Sequence, residues 1–589
     1  MKKRSSIFRA AAALMCLATI TSCTSNAGSD AQTSAQTAAA SEQVTEETAA
    51  ETTETSAEAS EDVKEDSADT EESEEENTIP LTDLTIKAFF TFEDDDISAF
   101  TVREGDDTQL FITSEVSKGG SKCMVATSPS GTWNRPAIRL DQICEPYEEY
   151  VITASVMTRE HGSVSMMMQY TDESGEVFYE NLANKSGDDW LSFTQISVGY
   201  TPEMKDVYVY FEGDASDMFI DNFNVAMLPS ANIQNELTSL SDHFEGDFKV
   251  GTALVSKDFS TRGTMALTEK HFGDSLTAGN EMKPDYVLDL DATLAYLEET
   301  GDDENPQISF SRAKPILSYC SKNKVPMRIH TLVWHSQTPT WFFKEGYDMA
   351  GEWVSPEKMT KRMENYIKNY FETLRELYPD IEFYACDVVN EAWLEDGKPR
   401  LPGCREEDSE QHSPWVKVYG DNSFIELAFT FARKYAPAGC KLYYNDYNEY
   451  MDVKMHAIYD MAEDFKEKGI IDGIGMQSHL DVRSGPDAFP SVAMYNKALD
   501  VYSELGLDIQ ITELDATVNA GSGDSLMQAQ ADYYKGIMNA IYEHRDNVSA
   551  LIVWGVTDDK SWRSAQQPLL FDRKYQAKPA FYSILEVKE

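Results

Sequence analysis

The sequence is short of positive charge. Its 589 residues include 50 Lys and Arg against 102 Asp and Glu, which gives a formal net charge of −52 and a pI near 4.4. Nucleic acids are bound by clustered basic side chains, so this balance argues against a nucleic-acid partner. A strongly acidic protein repels its own copies and favours neutral or cationic ligands, and we expect a monomer.

Long apolar runs are also lacking. The apolar stretch AAALMCLATITS follows the basic MKKRSSIFR and is too short to span a bilayer. The pattern predicts an export signal over residues 1–23. Ile20-Thr21-Ser22-Cys23 resembles a bacterial lipobox, which would lipidate Cys23, and the alternative is an ordinary signal peptide with a nearby cysteine. We expect an exported protein, lipid-anchored at the cell surface or secreted, whose contact with a membrane is this anchor alone.

Residues 24–80 contain no aromatic side chain to bury. They carry seventeen Asp or Glu against a single lysine, Lys64, and are otherwise rich in Ala, Ser, Thr and Gln. Such a segment cannot offset the entropy lost on folding. We predict an acidic disordered linker here, followed by folded domains over residues 81–228 and 229–589.

Cysteines at metal-binding spacings are absent. Apart from Cys16 and Cys23, the cysteines are Cys123, Cys144, Cys320, Cys386, Cys404 and Cys440. Their spacing matches no zinc pattern. Cys123 and Cys144 could pair after export, but the simpler interpretation is that all six are small buried hydrophobic residues.

Residues 81–228 show alternating apolar and polar positions in short runs such as YVITASVMT, SVSMMMQYTD and DVYVYFEG. Gly, Asp and Ser turns separate these runs, and helical stretches are nearly absent. This pattern is typical of a β-sandwich. The segments FTFEDD, GTWNRPAIRL, VFYENLA, VYVYFEG and FIDNFNV resemble those of carbohydrate-binding module family 22, whose members are xylan-binding jelly rolls.

The resemblance implies a set of sugar-binding positions in the sandwich. They are Arg103, Trp133, Tyr179, Tyr210 and Glu212. Aromatic faces stack on sugar rings and charged groups bind hydroxyls, although Trp133 and Tyr179 could instead pack the core. The family also implies a structural calcium, for which Glu93 and Asp221 are candidates.

Residues 229–589 contain eight apolar runs separated by helical sequence. The runs are FKVGTALV, SLTAGN, PMRIHTLVW, IEFYACDVVNE, KLYYNDYN, GIGMQSHL, DIQITELD and SALIVWGVTD. Repeated strand and helix patterns over this length predict a (β/α)8 TIM barrel. Ser355 and Pro356 mark the start of one helix, and 228–244 is interpreted as a joining helix.

Polar residues gather at the carboxyl ends of these runs, where a barrel places its active site. Glu391 and Glu513 end the fourth and seventh runs, which should face each other across the barrel. Cleavage of a glycosidic bond needs two flanking carboxylates, separated by roughly 5–5.5 Å when the reaction retains configuration. Shared metal binding by His330 and His335 is disfavoured, because positions five apart on a strand face opposite sides.

Six motifs make this part similar to glycoside hydrolase family 10, the endo-β-1,4-xylanases. They are GNEMKPD, IHTLVWHSQTP, CDVVNEAW, GIGMQSHL, ITELD and WGVTDDKSWR. The resemblance implies that Glu391 is the general acid/base and Glu513 the nucleophile, with no cofactor needed for catalysis. Glu513 must stay ionised, whereas Glu391 must hold a proton near neutral pH.

Further roles follow from the same resemblance. Asn390 would hydrogen-bond the sugar 2-hydroxyl, and Gln477 would lie beside the acid/base. His479 would bond the nucleophile and would be oriented in turn by Asp515. The glycone subsites would be lined by Asn280, Lys283, His330, Trp334, Gln337, Trp554 and Trp562. Gly279 departs from the family, because many members carry a glutamate there that contacts sugar.

The sequence therefore predicts a retaining hydrolase of xylan and xylo-oligosaccharides with an appended xylan-binding module. Two alternatives stay open. The scaffold could prefer β-1,4-glucan or a mixed-linkage glucan, for which Gly279 gives a modest reason. It could also be a non-catalytic lipoprotein that captures xylan, although both glutamates and Asn390 are intact.

Overall fold

The computed structural model describes residues 80–588 apart from 104–107, 128–135, 173–174, 215, 406–407, 483–487 and 519–522. The predicted export signal with Cys23, and the predicted linker up to residue 79, lie outside the described residues. Among the described helices, none combines the length and the apolar character that a membrane crossing needs. The described chain forms a β-sandwich followed by a closed parallel barrel.

The sandwich consists of two antiparallel sheets. Its strands are β1 (Thr85–Phe90), β2 (Phe100–Val102), β3 (Leu110–Thr113), β4 (Cys123–Ala126), β5 (Pro136–Arg139), β6 (Tyr150–Thr158), β7 (Ser163–Thr171), β8 (Val177–Ser186), β9 (Leu191–Val198), β10 (Lys205–Glu212) and β11 (Met218–Met227). One sheet has the order β3-β4-β11-β6-β9, with β1 beside β11, and the other has the order β2-β5-β10-β7-β8. On β7, Val164, Met166 and Met168 are buried while the residues between them are partly exposed. This alternation buries one face of the strand, as the sequence predicts.

The remaining strands build the barrel and its loops. They are β12 (Lys249–Leu254), β13 (Ser275–Ala278), β14 (Leu288–Asp289), β15 (Gln307–Ile308), β16 (Met327–Trp334), β17 (Phe383–Asn390), β18 (Leu401–Pro402), β19 (His412–Ser413), β20 (Lys441–Asp446), β21 (Gly473–Met476), β22 (His479–Val482), β23 (Asp508–Val518) and β24 (Val548–Val553). Parallel pairing runs β12-β13-β16-β17-β20-β21-β23-β24, and β24 returns to β12. This closed ring of eight confirms the TIM-barrel prediction, and its strands fall on the eight apolar runs.

Helices surround the barrel. They span Leu240–His243, Arg262–His271, Pro284–Val287, Leu290–Thr300, Lys314–Asn323, Pro356–Leu377, Pro414–Tyr419, Ser423–Tyr435, Asp452–Glu467, Val492–Glu504, Asp524–Glu543 and Pro579–Leu585. Ser355 caps the helix that Pro356 starts, accepting a 3.3 Å hydrogen bond from the Lys358 backbone N–H. The joining helix predicted over 228–244 is wrong, because only its last residues, Leu240–His243, are helical.

The six cysteines within the described residues are free and buried. Cys123 lies on β4 and Cys144 follows the short 3-10 helix Leu140–Gln142. The structure thus supports the interpretation of these cysteines as small apolar core residues.

Candidate active site

Glu513 lies on β23 inside the barrel and is 4% exposed. Asn445 Nδ2 donates a 2.8 Å hydrogen bond to its Oε1, and His479 Nε2 lies 3.3 Å from its Oε2. His330 Nδ1 adds a third contact, 3.9 Å from Oε1. Burial alone would raise the pKa of Glu513, but His330 and the hydrogen bond from His479 lower it to about 2. The carboxylate therefore stays ionised, as a nucleophile must.

His479 connects Glu513 to a second carboxylate. Its Nδ1 lies 2.9 Å from Asp515 Oδ2, on the ring edge opposite to Glu513. Burial would lower the pKa of His479, but Asp515 and Glu513 together raise it to about 9. The ring is therefore an imidazolium at neutral pH, with Nε2 hydrogen-bonded to Glu513 and Nδ1 in ion-pair contact with Asp515. This arrangement fixes the ring and supplies positive charge to Glu513.

His330 Nδ1, the atom that lies 3.9 Å from Glu513 Oε1, is also held by a buried ion pair. Asp387 Oδ2 lies 3.0 Å from His330 Nδ1, and Asp387 Oδ1 accepts a 2.7 Å hydrogen bond from Arg328 Nη2. Arg328 and Asp387 are both fully buried. A buried carboxylate needs such a partner, because an unpaired charge in the interior is very costly. The pair fixes the imidazole that faces Glu513.

Glu391 follows β17 directly, and its φ of 54° lies in the left-handed region. That conformation is disfavoured for a residue with a side chain and persists where the surroundings enforce it, often at active sites. Gln477 Nε2 donates to Glu391 Oε1 over 3.0 Å, and Asn390 Nδ2 donates to the same atom over 3.1 Å. Arg400 Nη2 lies 3.9 Å from Oε2.

The strands that carry the two glutamates are three positions apart around the ring, with β20 and β21 between them. These intervening strands supply the amides that link the two sides. Asn445, on β20, donates from Nδ2 to Asn390 Oδ1 over 2.8 Å as well as to Glu513. Gln477, just after β21, reaches Glu391. The amides fix both glutamates in one network.

Four of the predicted subsite residues contact one another. Lys283 Nζ donates to Asn280 Oδ1 and to Gln337 Oε1, both over 3.0 Å, and lies 5.1 Å from the ring centroid of Trp334. Lys283 is only 6% exposed, and burial lowers its pKa while the nearby Glu513 and the other carboxylates oppose that change. These donors and one aromatic face suit the hydroxyls and the ring of a sugar.

Two tryptophans from the segment after β24 complete the site. The ring centroid of Trp554 lies 5.4 Å from that of His330, and the ring centroid of Trp562 lies 4.9 Å from that of His479. Trp562 Nε1 donates a 3.0 Å hydrogen bond to Asp515 Oδ2. Trp562 is nevertheless 61% exposed, so its ring is a free aromatic face at the rim of the site.

The imidazolium of His479 should control the acid limb of activity. Replacing it in the variant His479→Gln removes a positive charge beside Glu513, so the pKa of Glu513 rises from about 2. A larger fraction of Glu513 is then protonated at low pH, and the acid limb of kcat/KM should move to higher pH. The pH profile of kcat/KM measures this shift. The exposed His456→Gln is the control, and an unmoved acid limb in His479→Gln would contradict the assignment.

In the sandwich, the structure brings four of the five predicted sugar-binding residues together. The Arg103 guanidinium lies 4.0 Å from the ring centroid of Tyr210 and 5.3 Å from that of Tyr179, and 3.9 Å from Glu212 Oε1. Tyr179 is 54% exposed, which argues against its packing in the core. Trp133 lies outside the described residues. Tyr210 is only 1% exposed and the Arg103 side chain 6%, so Tyr179 and Glu212 are the members of the cluster that face the surface.

The calcium prediction is not supported. Glu93 Oε1 accepts hydrogen bonds from the backbone N–H groups of Ser121 and Lys122, at 2.7 and 2.9 Å. Asp221 Oδ2 accepts from the backbone N–H groups of Lys118 and Gly119, at 2.8 and 2.9 Å. These carboxylates hold backbone amides, and the described part of the chain contains no group of three residues that could hold a metal ion.

Sequence reasoning missed the residues that support the site from behind. Arg400 is 3% exposed, and its Nε donates to the Glu391 carbonyl over 2.5 Å. Arg328 and Asp387 lie inside strands, where an alternating pattern could have indicated that they face the barrel interior. Arg400 lies in a loop, and no local sequence signal could have placed it beneath Glu391.

A closed (β/α)8 barrel with two glutamates joined by one amide network at its face is an arrangement that glycoside hydrolases use. The sequence profile described as Glycosyl hydrolase family 10 matches residues 239–587. The chain belongs to glycosyl hydrolase family 10. A further profile, described as a carbohydrate binding domain, matches residues 88–217, within the sandwich.

Known proteins agree with this membership. The chain is 42% identical over 361 residues to endo-1,4-beta-xylanase Y of Acetivibrio thermocellus. The aligned region covers 59% of this chain and 32% of that protein. It is also 32% identical over 511 residues to endo-1,4-beta-xylanase A of Thermotoga neapolitana. That alignment covers 82% of this chain and 44% of the relative. It thus spans less than half the length of both relatives.

A solved structure covers both folded parts. It contains the CBM22-1 and GH10 modules of the Clostridium thermocellum endo-1,4-beta-D-xylanase 10B, complexed with xylohexaose. The sequence identity is 34%, the TM-score is 0.57, and the match covers 85% of this chain and 97% of that one. The sandwich followed by a barrel is therefore an arrangement that this chain shares with a xylanase of known structure.

Proposed function

We propose that the protein cleaves internal β-1,4-xylosidic linkages of xylan with retention of configuration. The observation that carries this proposal is the contrast between the two glutamates. Glu513 is held ionised between His479, His330 and Asn445. The carboxylate of Glu391 instead accepts its hydrogen bonds from the neutral amides of Gln477 and Asn390, with Arg400 Nη2 more distant at 3.9 Å. Both relatives compared above are named endo-1,4-beta-xylanase.

In the first step Glu391 donates its proton to the glycosidic oxygen, and Glu513 attacks the anomeric carbon. The bond to the leaving sugar breaks, and a glycosyl ester forms on Glu513. Esterification removes the negative charge of Glu513. Less charge repulsion then acts on Glu391, so the carboxylate that has given up its proton can serve as a base.

In the second step Glu391 takes a proton from water, and the resulting hydroxide equivalent attacks the anomeric carbon. The ester breaks, Glu513 regains its charge and Glu391 its proton. Asn390 lies one residue before Glu391 and is 2% exposed, and it would bind the sugar 2-hydroxyl. Because Asn445 and Gln477 fix its amide, little reorganisation is needed during the reaction.

The sandwich and the N-terminal segment would hold the enzyme close to its substrate. The sandwich acts as a xylan-binding module of family 22 through Arg103, Tyr179, Tyr210 and Glu212, with Trp133 as a further contact. Export with lipidation at Cys23 would hold the monomeric enzyme at the cell surface. The acidic segment 24–80 then serves as the tether between the anchor and the folded domains.

A glucan is the second candidate substrate, and Gly279 is the observation that favours it. A Cβ atom on Gly279 would lie 3.0 Å from Val255 Cγ1, so Val255 occupies the space that a larger side chain would need. The sugar contact that a glutamate makes there in many family members is therefore missing. A subsite with one contact fewer discriminates less strongly between xylose and glucose units.

Parallel assays on decorated xylan, carboxymethyl cellulose and barley glucan test the proposal. We expect kcat/KM on xylan to exceed that on either glucan by about tenfold or more, with short xylo-oligosaccharides of mixed length as early products. Equal or faster hydrolysis of glucan would establish the second candidate. Protein that binds xylan and shortens no chain would show a capture function instead.

A further inference from the structure

The sandwich contacts the barrel where the residues just before β6 meet the start of the helix Arg262–His271. The backbone N–H of Arg262 donates a 3.1 Å hydrogen bond to the Tyr147 carbonyl. Beside it, Arg262 Nη2 lies 3.4 Å from Glu148 Oε1, and the Arg262 side chain is 69% exposed. This outer ion pair is solvated and contributes little to stability.

A second ion pair at the same junction is buried. Lys560 Nζ, from the barrel, lies 3.4 Å from Oε1 of Glu149, from the sandwich, and the two side chains are 11% and 10% exposed. Lys560 also donates to Thr261 Oγ1 and Thr264 Oγ1, over 2.8 and 2.7 Å. Tyr575 O–H donates to Glu149 Oε2 over 2.6 Å.

Both groups of the buried pair keep their charge. Burial alone would lower the pKa of Lys560, but Glu149 and Tyr575, followed by Asp258 and Asp559, raise it above its usual value. Burial would likewise raise the pKa of Glu149, but Lys560 and Tyr575 lower it. An ammonium buried in this way needs its carboxylate, because an unpaired charge in the interior is very costly.

Lys560 belongs to the segment that reaches the active site. It ends the 3-10 helix Asp558–Lys560, and Trp562 comes two residues later. Trp562 then contacts the ring of His479 and donates to Asp515, the two residues that act on Glu513. Trp562 is 61% exposed, and the Arg563 guanidinium lies 4.3 Å from its ring centroid. These few contacts can form only if the backbone after Lys560 carries the ring to the right place.

We propose that Glu149 of the sandwich is a positioning residue for the hydrolytic site, which it reaches through Lys560 and Trp562. The sandwich then has a second role besides any binding of polysaccharide. It holds the segment after β24 in the conformation that places Trp562 over His479 and Asp515. This inference rests on the proposed hydrolysis of xylan chains.

The test compares Glu149→Gln with the matched control Glu148→Gln, both in the full chain and with xylohexaose as substrate. We expect Glu149→Gln to lower kcat/KM by about fivefold or more, mainly through a higher KM, because the subsite loses a fixed ring. Glu148→Gln should stay within about twofold of the unaltered protein, since its ion pair is solvated. Thermal unfolding of all variants shows whether they fold.

The variant Trp562→Ala separates positioning from general destabilisation. If Glu149 acts through Trp562, then adding Glu149→Gln to Trp562→Ala should cause no further loss of kcat/KM. An equal loss in both backgrounds, or no loss in the single variant, would overturn the inference. Should Glu149→Gln fail to fold, Tyr575→Phe takes its place in the same comparison, because it removes the hydrogen bond to Glu149 and the 3.3 Å hydrogen bond that Lys560 Nζ donates to Tyr575 while keeping the buried ion pair. Failure of the unaltered protein to cleave xylohexaose would instead refute the proposed function.

Discussion

Xylan hydrolysis should fall by on the order of 10⁴-fold or more in kcat when Glu513 is replaced by glutamine, because the amide cannot form the glycosyl ester. The replacement keeps the shape of the side chain and the hydrogen bond that Asn445 donates to Oε1. The loss should therefore appear in kcat while xylan binding persists. Release of reducing sugar, together with co-sedimentation on insoluble xylan, measures the two effects separately.

The control for this replacement is Glu467→Gln, at the exposed end of the helix Asp452–Glu467. It changes the net charge by the same amount and should retain full activity. Both variants should unfold cooperatively. Near-normal hydrolysis by a folded Glu513→Gln protein would refute the assignment of the nucleophile and with it the retaining mechanism.

Replacing Glu391 by glutamine should lower kcat on xylan by about 10²- to 10⁴-fold, because the leaving sugar is no longer protonated. An aryl xylobioside with an acidic phenol as leaving group needs no such proton. Its first step should therefore be nearly normal, and the glycosyl ester should accumulate because the base for the second step is missing. Rapid-quench kinetics would show a burst of phenol followed by slow turnover.

The contrast between the two substrates identifies the role of Glu391. A residue that only shapes the site would slow xylan and the aryl xylobioside to a similar extent, without a burst. The same comparison on Asn390→Ala provides a neighbouring control, because Asn390 contacts Glu391 but carries no proton to donate. Equal losses on both substrates in Glu391→Gln would contradict its assignment as acid/base.

Strand positions and the catalytic face could be predicted because their signals are local. Apolar runs with a polar residue at the carboxyl end, such as 381–391, correspond to β17 and to Glu391 after it. A strand is identified by its own alternation and length, and the TIM barrel then places all carboxyl ends on one face. The position of Glu513 followed from the same reasoning.

Residues that act through tertiary contacts could not be predicted. Arg400 comes from a loop, and Glu149 and Lys560 are 411 positions apart in the chain yet form a buried pair. The segment 228–244 has apolar residues at helical intervals, but most of it is not helical. Packing against the barrel, for instance of Ala231 and Ile233, replaces the hydrogen bonds of a regular helix as the source of order there.

The buried thiols have a consequence for the conditions under which the protein can fold and work. Burial raises the pKa of Cys123, Cys144, Cys320 and Cys440 to about 12, so these groups carry no reactive thiolate at neutral pH. Cys386 is fully buried, and burial raises the pKa of its thiol as well. The described fold therefore needs no oxidant to form and offers little for an oxidant to attack. Because the described cysteines form no disulfide, a thiol reductant should leave the stability of this part of the chain unchanged.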